Sequence, residues 1–151
     1  MHRILFVCYG NICRSPMAEY IMKDLVQKRG LEDLFEIASA AVSDEEHGNP
    51  VYPPAAAMLK KHGISCRGHH AHRLRKAEYE YYDRIIAMDR LNLRILDRIT
   101  GGDPDHKIAL LLSYAGSDRQ IDDPWYTDDF DTAWNDIYAG CTALLEYLLG
   151  Y

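Results

Sequence analysis

The hydrophobic positions of this chain fall into blocks of two kinds. Short, nearly unbroken apolar runs occupy residues 3–8 (Arg3-Ile4-Leu5-Phe6-Val7-Cys8), 35–39, 84–88 and 107–112. Runs of that length without polar alternation are what strands buried on both faces require; residues 107–112 also fit a helix. Between the runs, apolar residues recur at helical spacing. Met17, Ile21, Leu25 and Val26 predict a helix capped by Ser15, with Pro16 in its first position, Glu19 near its positive end and Gly30 as its stop. Pro53-Pro54 opens a second helix carrying Ala57, Met58 and Leu59 and ending at Gly63. Residues 91–99 predict a third. Residues 131–149 predict a long amphipathic helix with Trp134, Tyr138, Leu144, Leu145 and Leu148 on its core face. Strands alternating with helices predict an α/β fold, a single domain over residues 1–151 with a parallel sheet covered on both faces. In such sheets ligands bind beyond the carboxyl ends of the strands, and the first strand ends at Cys8.

Composition narrows the function classes. A 151-residue chain with 48% apolar and 26% charged residues suits one soluble domain. The net charge of -6 argues against a nucleic-acid partner, because the phosphate backbone demands a basic surface. No segment reaches the ~18 apolar residues of a membrane span, and the apolar run at residues 4–7 is shorter than the roughly 7–15 residues of a secretion signal's core. No membrane association is expected. Four cysteines (Cys8, Cys13, Cys66 and Cys141) are too few for a disulfide scaffold, so reduced thiols in the cytoplasm are expected.

The candidate chemistry begins at Cys8. Five residues separate it from Arg14, and Ser15 follows. The spacing alone is weak evidence, but it spans the end of a buried strand and the start of a capped helix, where backbone N–H groups converge on an anion. Gly10 and Asn11 tolerate the dihedrals that aim those groups inward. Arg14 offers a planar fork for two phosphate oxygens. The helix terminus and Arg14 both favour the thiolate of Cys8, the form that attacks, and Ser15 is placed to donate to the sulfur when it leaves. The competing reading is a buried strand cysteine beside an ordinary turn.

Cleaving a phosphate monoester also calls for a proton on the leaving oxygen. Asp122-Asp123-Pro124-Trp125-Tyr126 is the candidate stretch. Adjacent carboxylates raise one another's pKa, Pro124 biases Asp123 toward extended backbone, and Trp125 and Tyr126 offer flat faces to a substrate ring. Asp128, Asp129 and Asp131 continue the acidic run, so a solvated acidic loop is the alternative.

Taken together, residues 7–19 (Val-Cys-Tyr-Gly-Asn-Ile-Cys-Arg-Ser-Pro-Met-Ala-Glu), Ser39-Ala40-Ala41, His62-Gly63-Ile64, Met88-Asp89, Leu93 and Asp123-Pro124-Trp125-Tyr126 resemble the low-molecular-weight protein tyrosine phosphatases over residues 3 to about 149. The resemblance implies a four-stranded parallel sheet and a two-step reaction on phosphotyrosine proteins or peptides, with inorganic phosphate as product and no metal or other cofactor. It implies Cys8 as nucleophile, Arg14 as phosphate clamp and Asp123 as acid and then base. It implies substrate-binding roles for Tyr9, Gly10, Asn11, Ile12, Cys13 and Glu45, with Trp125 and Tyr126 as the aromatic wall of the cleft. Asn11, Ser15, Ser39 and His69 match the family's loop-supporting network, and Cys13 matches a cysteine that forms a disulfide with the nucleophile on oxidation. A monomer is expected. Glu45, beside Glu46 and His47, stands where relatives often carry an aromatic residue, which suggests a preference for basic peptides. His72 stands where arginine is common.

Other features read more plainly. Cys66, His69, His70 and His72 are metal-ligand types without the regular spacing of a structural site, and no metal is expected there. Arg67, Arg73, Arg75 and Lys76 read as a hydrated basic stretch, and Tyr79, Tyr81 and Tyr82 as surface packing. Three other functions compete. Arsenate reduction needs relay cysteines that Cys66 and Cys141 do not supply. Relatives that act on phosphoarginine carry threonine at the position of Ile12. A non-catalytic phosphotyrosine-binding module would be expected to lack Cys8, Arg14 or Asp123.

Overall fold

The computed structural model describes residues 1–150. Four strands, β1 (His2–Cys8), β2 (Phe35–Ala41), β3 (Arg84–Ala87) and β4 (Ile108–Leu110), form one sheet in the order β2-β1-β3-β4, every pair parallel. Because β1 is central, its side chains split between two cores. Ile4, Phe6 and Cys8 face one side with α1 (Arg14–Lys28), α2 (Pro53–Lys61) and α6 (Phe130–Leu148). Leu5 and Val7 face the other, with α3 (Lys76–Tyr81) and α4 (Arg90–Thr100). The continuous apolar run of β1 is thus buried on both faces, as its pattern predicts. A final helical turn, α5 (Pro124–Thr127), precedes α6. No helix among the described residues is long and apolar enough to cross a membrane.

Several sequence expectations change in detail. Helix α1 begins two residues early, at Arg14, and its cap is Cys13 with no side-chain hydrogen bond. Ser15 is not the cap, because its hydroxyl is engaged by Cys8 and Asn11 instead. The fourth apolar run is strand only over Ile108–Leu110 and then tightens into a 3-10 turn, Leu111–Ala115. Helices α3 and α5 are not apparent in the hydrophobic pattern. Tyr79 is buried in the second core and donates to Asp103 Oδ1 at 2.8 Å, so it is not surface packing. Tyr138, assigned to the core face of α6, is instead exposed. Helix α6 approaches the 111–115 turn so closely that a Cβ at Gly140 would lie 2.5 Å from Leu111 Cγ.

Strand order reverses around β1, since β2 flanks it on one side and β3 on the other. This switch point opens a crevice beyond Cys8. After α2 the chain returns to the end of β2, where Ala41 N–H donates to His72 O (2.7 Å) and Leu74 N–H to Ala41 O (2.8 Å). That return brings His69 and His72 behind the loop joining β1 to α1.

Candidate active site

The 8–15 loop closes around the sulfur of Cys8. The N–H groups of Asn11 (3.3 Å) and Ser15 (3.4 Å) point at Sγ, and the Ser15 hydroxyl lies 3.0 Å from it. Negative charge on that sulfur faces donors and the N-terminus of α1.

Asn11 holds the loop in shape. Its φ of 61° lies in the left-handed region, which asparagine tolerates better than most residues. Its side chain donates to Ser15 Oγ (2.8 Å) and Ser39 Oγ (2.9 Å) and accepts from His72 N (3.3 Å), while His69 Nε2 bonds its carbonyl at 2.8 Å. Asn11 is fully buried, so its side chain lies behind the cleft rather than lining it as expected. Gly10 has no positive φ; its value is its size, because a Cβ there would meet Glu46 Cγ at 3.3 Å. Ser39 passes the network on to buried Glu19, whose other oxygen bonds Lys23. Burial lowers the His69 pKa against the opposing pull of the Asn11 carbonyl and Glu19. Neutral His69 therefore donates its Nε2–H to Asn11 O.

Arg14 is 1% exposed, yet its guanidinium is only half engaged. Its Nη1 is gripped by Asp89 Oδ2 (2.7 Å) and Ile121 O (2.8 Å), its Nη2 lies 3.4 Å from Asp123 Oδ2, and its Nε is buried without any partner. Burial opposes the charge, but Cys8, Asp123 and Asp89 outweigh it and raise the Arg14 pKa. A buried guanidinium with an unpartnered Nε–H is suited to binding an anion.

The cleft above the loop encloses about 100 Å³, room for a phosphate-sized group rather than the ~300–1,000 Å³ of a site that engulfs a drug-sized ligand. Cys8, Tyr9, Gly10, Ile12, Cys13 and Arg14 form its floor; Glu45 and Glu46 stand on one side, and Asp123, Trp125 and Tyr126 on the other. Tyr9 donates to Glu45 Oε1 at 2.8 Å, which raises the tyrosine's pKa and ties floor to wall. Pro124 holds Asp123 extended (φ -78°, ψ 113°), and Asp123 Oδ1 accepts from Trp125 N (3.0 Å). Asp122 is exposed and turned away, so Arg14 rather than Asp122 is the charge beside Asp123. Burial, with the negative charge of Cys8 and Asp123, pushes the Cys13 thiol up, so it stays protonated.

The remaining candidates separate. His70 bonds Gly48 O, and His72 pairs with Glu78 at 3.0 Å. Among the described residues no group of three or more His, Cys, Asp or Glu side chains is arranged to hold a metal. Three contributors are given no role in the site by the sequence reading: Tyr52, and Asp89 and Glu19, which it quotes only within the stretches that carry the resemblance and, for Glu19, near the start of its helix. Asp89 carried one local signal, since Asp89 and Asn92 form a capping box at the start of α4.

A parallel α/β sheet with a cysteine–arginine anion cradle at its switch point defines a class of proteins that hold a tetrahedral oxyanion against a sulfur. The chain belongs to the low molecular weight phosphotyrosine protein phosphatase family, whose sequence profile matches residues 3–149. It is 39% identical over 147 residues to the low molecular weight protein-tyrosine-phosphatase YfkJ of Bacillus subtilis, covering 96% of this chain and 94% of that one. It is 40% identical over 148 residues to the low molecular weight phosphotyrosine protein phosphatase of Gallus gallus, covering 95% and 93%. The crystal structure of YfkJ superposes with a TM-score of 0.95 at 38% identity, covering 99% of this chain and 95% of that one. A structure described as a Drosophila arginine phosphatase superposes with a TM-score of 0.88 at 35% identity, covering 96% of each chain.

Proposed function

We propose that the chain hydrolyses phosphotyrosine in proteins or peptides through a cysteinyl-phosphate, with Cys8, Arg14 and Asp123 as its catalytic residues. The observation that carries this is the buried, unpartnered Nε of Arg14 at the base of a cleft floored by Cys8. The phosphoryl group sits in the 8–15 loop, where Arg14 Nε and Nη2 supply the bidentate fork. The Cys8 thiolate attacks phosphorus as the bond to the phenolic oxygen breaks, and Asp123 gives its proton to that oxygen. Asp123, now a carboxylate, takes a proton from the water that attacks phosphorus. The S–P bond breaks, Ser15 donates to the departing sulfur, and inorganic phosphate leaves. Arg14 and the loop amides neutralise the developing charge, so no step calls for a metal or cofactor.

The aromatic pair Trp125 and Tyr126, opposite Ile12, supports an aryl substrate over phosphoarginine. Glu45 and Glu46, on the side of the cleft that faces Asp123, support preference for basic residues next to the phosphotyrosine. Four cysteines, too few for a disulfide scaffold, support a reducing, cytoplasmic setting, and we expect the chain to act there as a monomer, away from membranes and nucleic acid.

The test is turnover of a phosphotyrosine peptide at mildly acid pH with chelator present. Wild type turns over, Cys8→Ser does not, and Asp123→Asn is slower by about 10²-fold or more. No turnover by freshly reduced wild type, with activity on phosphoarginine or arsenate instead, overturns the assignment.

A further inference from the structure

We infer that Tyr52 is a positioning residue that sets the proton donor against the phosphate loop. The inference rests on the reading of Asp123 as general acid.

The segment carrying Asp123 is thinly anchored. Asp122, Trp125, Tyr126, Thr127, Asp128 and Asp129 are all exposed, and Asp128 turns the chain through a left-handed conformation at φ 59°. Such a segment does not hold a carboxylate still by itself. Tyr52 grips it from outside. The Tyr52 ring lies 4.8 Å from the Trp125 ring and 6.2 Å from the Phe130 ring, at interplanar angles of 54° and 28°. Trp125 lies two residues after Asp123 and Phe130 opens α6, so one side chain grips the segment close behind the carboxylate and again at its far end. Trp125 is also the residue whose N–H donates to Asp123 Oδ1, so fixing Trp125 fixes the bond that orients the carboxylate.

The backbone of the same residue belongs to the other half of the site. Tyr52 N–H donates to Ile12 O at 2.8 Å, within the loop that wraps Cys8. Pro53 and Pro54 then begin α2, whose buried Ala55 and Leu59 fix Tyr52 in the first core. A substitution of the side chain leaves that backbone bond in place and removes the grip on Trp125 and Phe130. Tyr52 thus spans from the phosphate loop to the acid loop, and its ring governs their relative position.

The consequence is selective. A displaced acid harms reactions in proportion to how much the leaving group needs a proton. With phenyl phosphate as the poor leaving group, Tyr52→Ala lowers kcat/KM roughly ten- to a hundredfold, the scale of a small misplacement. With p-nitrophenyl phosphate, whose phenolate leaves readily, the loss is much smaller. Vanadate affinity, which reads the loop alone, stays at the wild-type value. Tyr52→Phe, which keeps the ring, retains the wild-type ratio between the two substrates. In an Asp123→Asn background Tyr52→Ala adds nothing to that ratio, because the group it positions is gone.

Asp123→Asn by itself separates the two ideas. If it fails to discriminate between the two substrates, the assignment of Asp123 falls and the inference falls with it. If it discriminates but Tyr52→Ala slows both substrates equally, weakens vanadate in parallel, or adds fully to Asp123→Asn, the role of Tyr52 alone is overturned.

Discussion

Asp89 Oδ2 lies 2.7 Å from Arg14 Nη1, and this pairing decides which edge of the guanidinium faces the cleft. With Nη1 held by Asp89 and by Ile121 O, only Nε and Nη2 remain for a ligand. Asp89→Asn keeps the polar cap of α4 but removes the charge opposite a cation that is 2% exposed at its side chain. Breaking a buried pair on one side costs about 3–5 kcal/mol. Asp89→Asn retains part of the hydrogen bond, so denaturant titration is expected to show roughly 2–3 kcal/mol lost. Vanadate affinity is expected to fall at least tenfold, because the fork is no longer aimed.

How much of this was legible from the sequence follows from what each residue depends on. The first strand, the 8–15 loop and the helix after it are contiguous, and their chemistry follows from neighbours a few positions away. Asp123 was legible because Pro124 and two aromatic residues mark it. The roles of Asp89 and Tyr52 were not: the capping box and the Met88-Asp89 match mark Asp89 as a position, but its hold on Arg14 and that of Tyr52 on Trp125 act across 75 and 73 residues, which no local pattern encodes. Ser15 shows the opposite failure. Serine before Pro16 is a strong cap signal, but Cys8 and Asn11 compete for the same hydroxyl and win. Glu19 reads as an ordinary acid near the positive end of its helix until the fold brings Ser39 Oγ to 2.5 Å from it.

Glu45 should set peptide preference. It stands at the mouth of the cleft, held by Tyr9, with Glu46 beside it. Wild type is expected to turn over phosphotyrosine peptides with flanking lysine or arginine several-fold faster, in kcat/KM, than acidic ones. The margin shrinks with added salt because these charges are solvent-exposed. The double variant Glu45→Lys/Glu46→Lys reverses the preference. Equal rates on basic and acidic peptides for wild type would remove Glu45 as a specificity element.

Cys13 should protect Cys8 from irreversible oxidation. Peroxide converts the Cys8 thiolate to a sulfenic acid. The Cys13 sulfur, once its proton is lost, attacks that sulfur and releases water, leaving a Cys8–Cys13 disulfide. Because burial keeps the Cys13 thiol protonated in the resting site, this step follows oxidation of Cys8 rather than preceding it. Peroxide-treated wild type is expected to recover with thiol, and Cys13→Ser to recover poorly. Equal recovery would show that Cys13 serves only as loop packing.

His69 should make stability fall on the acid side. Its folded-state pKa lies below its unfolded value near 6.5, chiefly through burial, so the unfolded chain binds the extra proton first. The contribution of neutral His69 is therefore complete above about pH 6.5 and is lost as pH falls through its folded-state value. The urea midpoint is expected to decline over that range, and His69→Gln to flatten this part of the profile. An NMR titration of His69 with a midpoint above 6.5 would contradict the assignment.

The account stands most directly on one covalent bond. Asp123→Asn should be mixed with a phosphotyrosine peptide, quenched in acid within milliseconds to seconds, digested, and examined by mass spectrometry. One phosphoryl group on the peptide containing Cys8, absent from the Cys8→Ser/Asp123→Asn control and present while free tyrosine peptide accumulates, is the predicted result. Release of tyrosine peptide with no phosphoryl group on Cys8 at any time, or with the group on another residue, would contradict the mechanism.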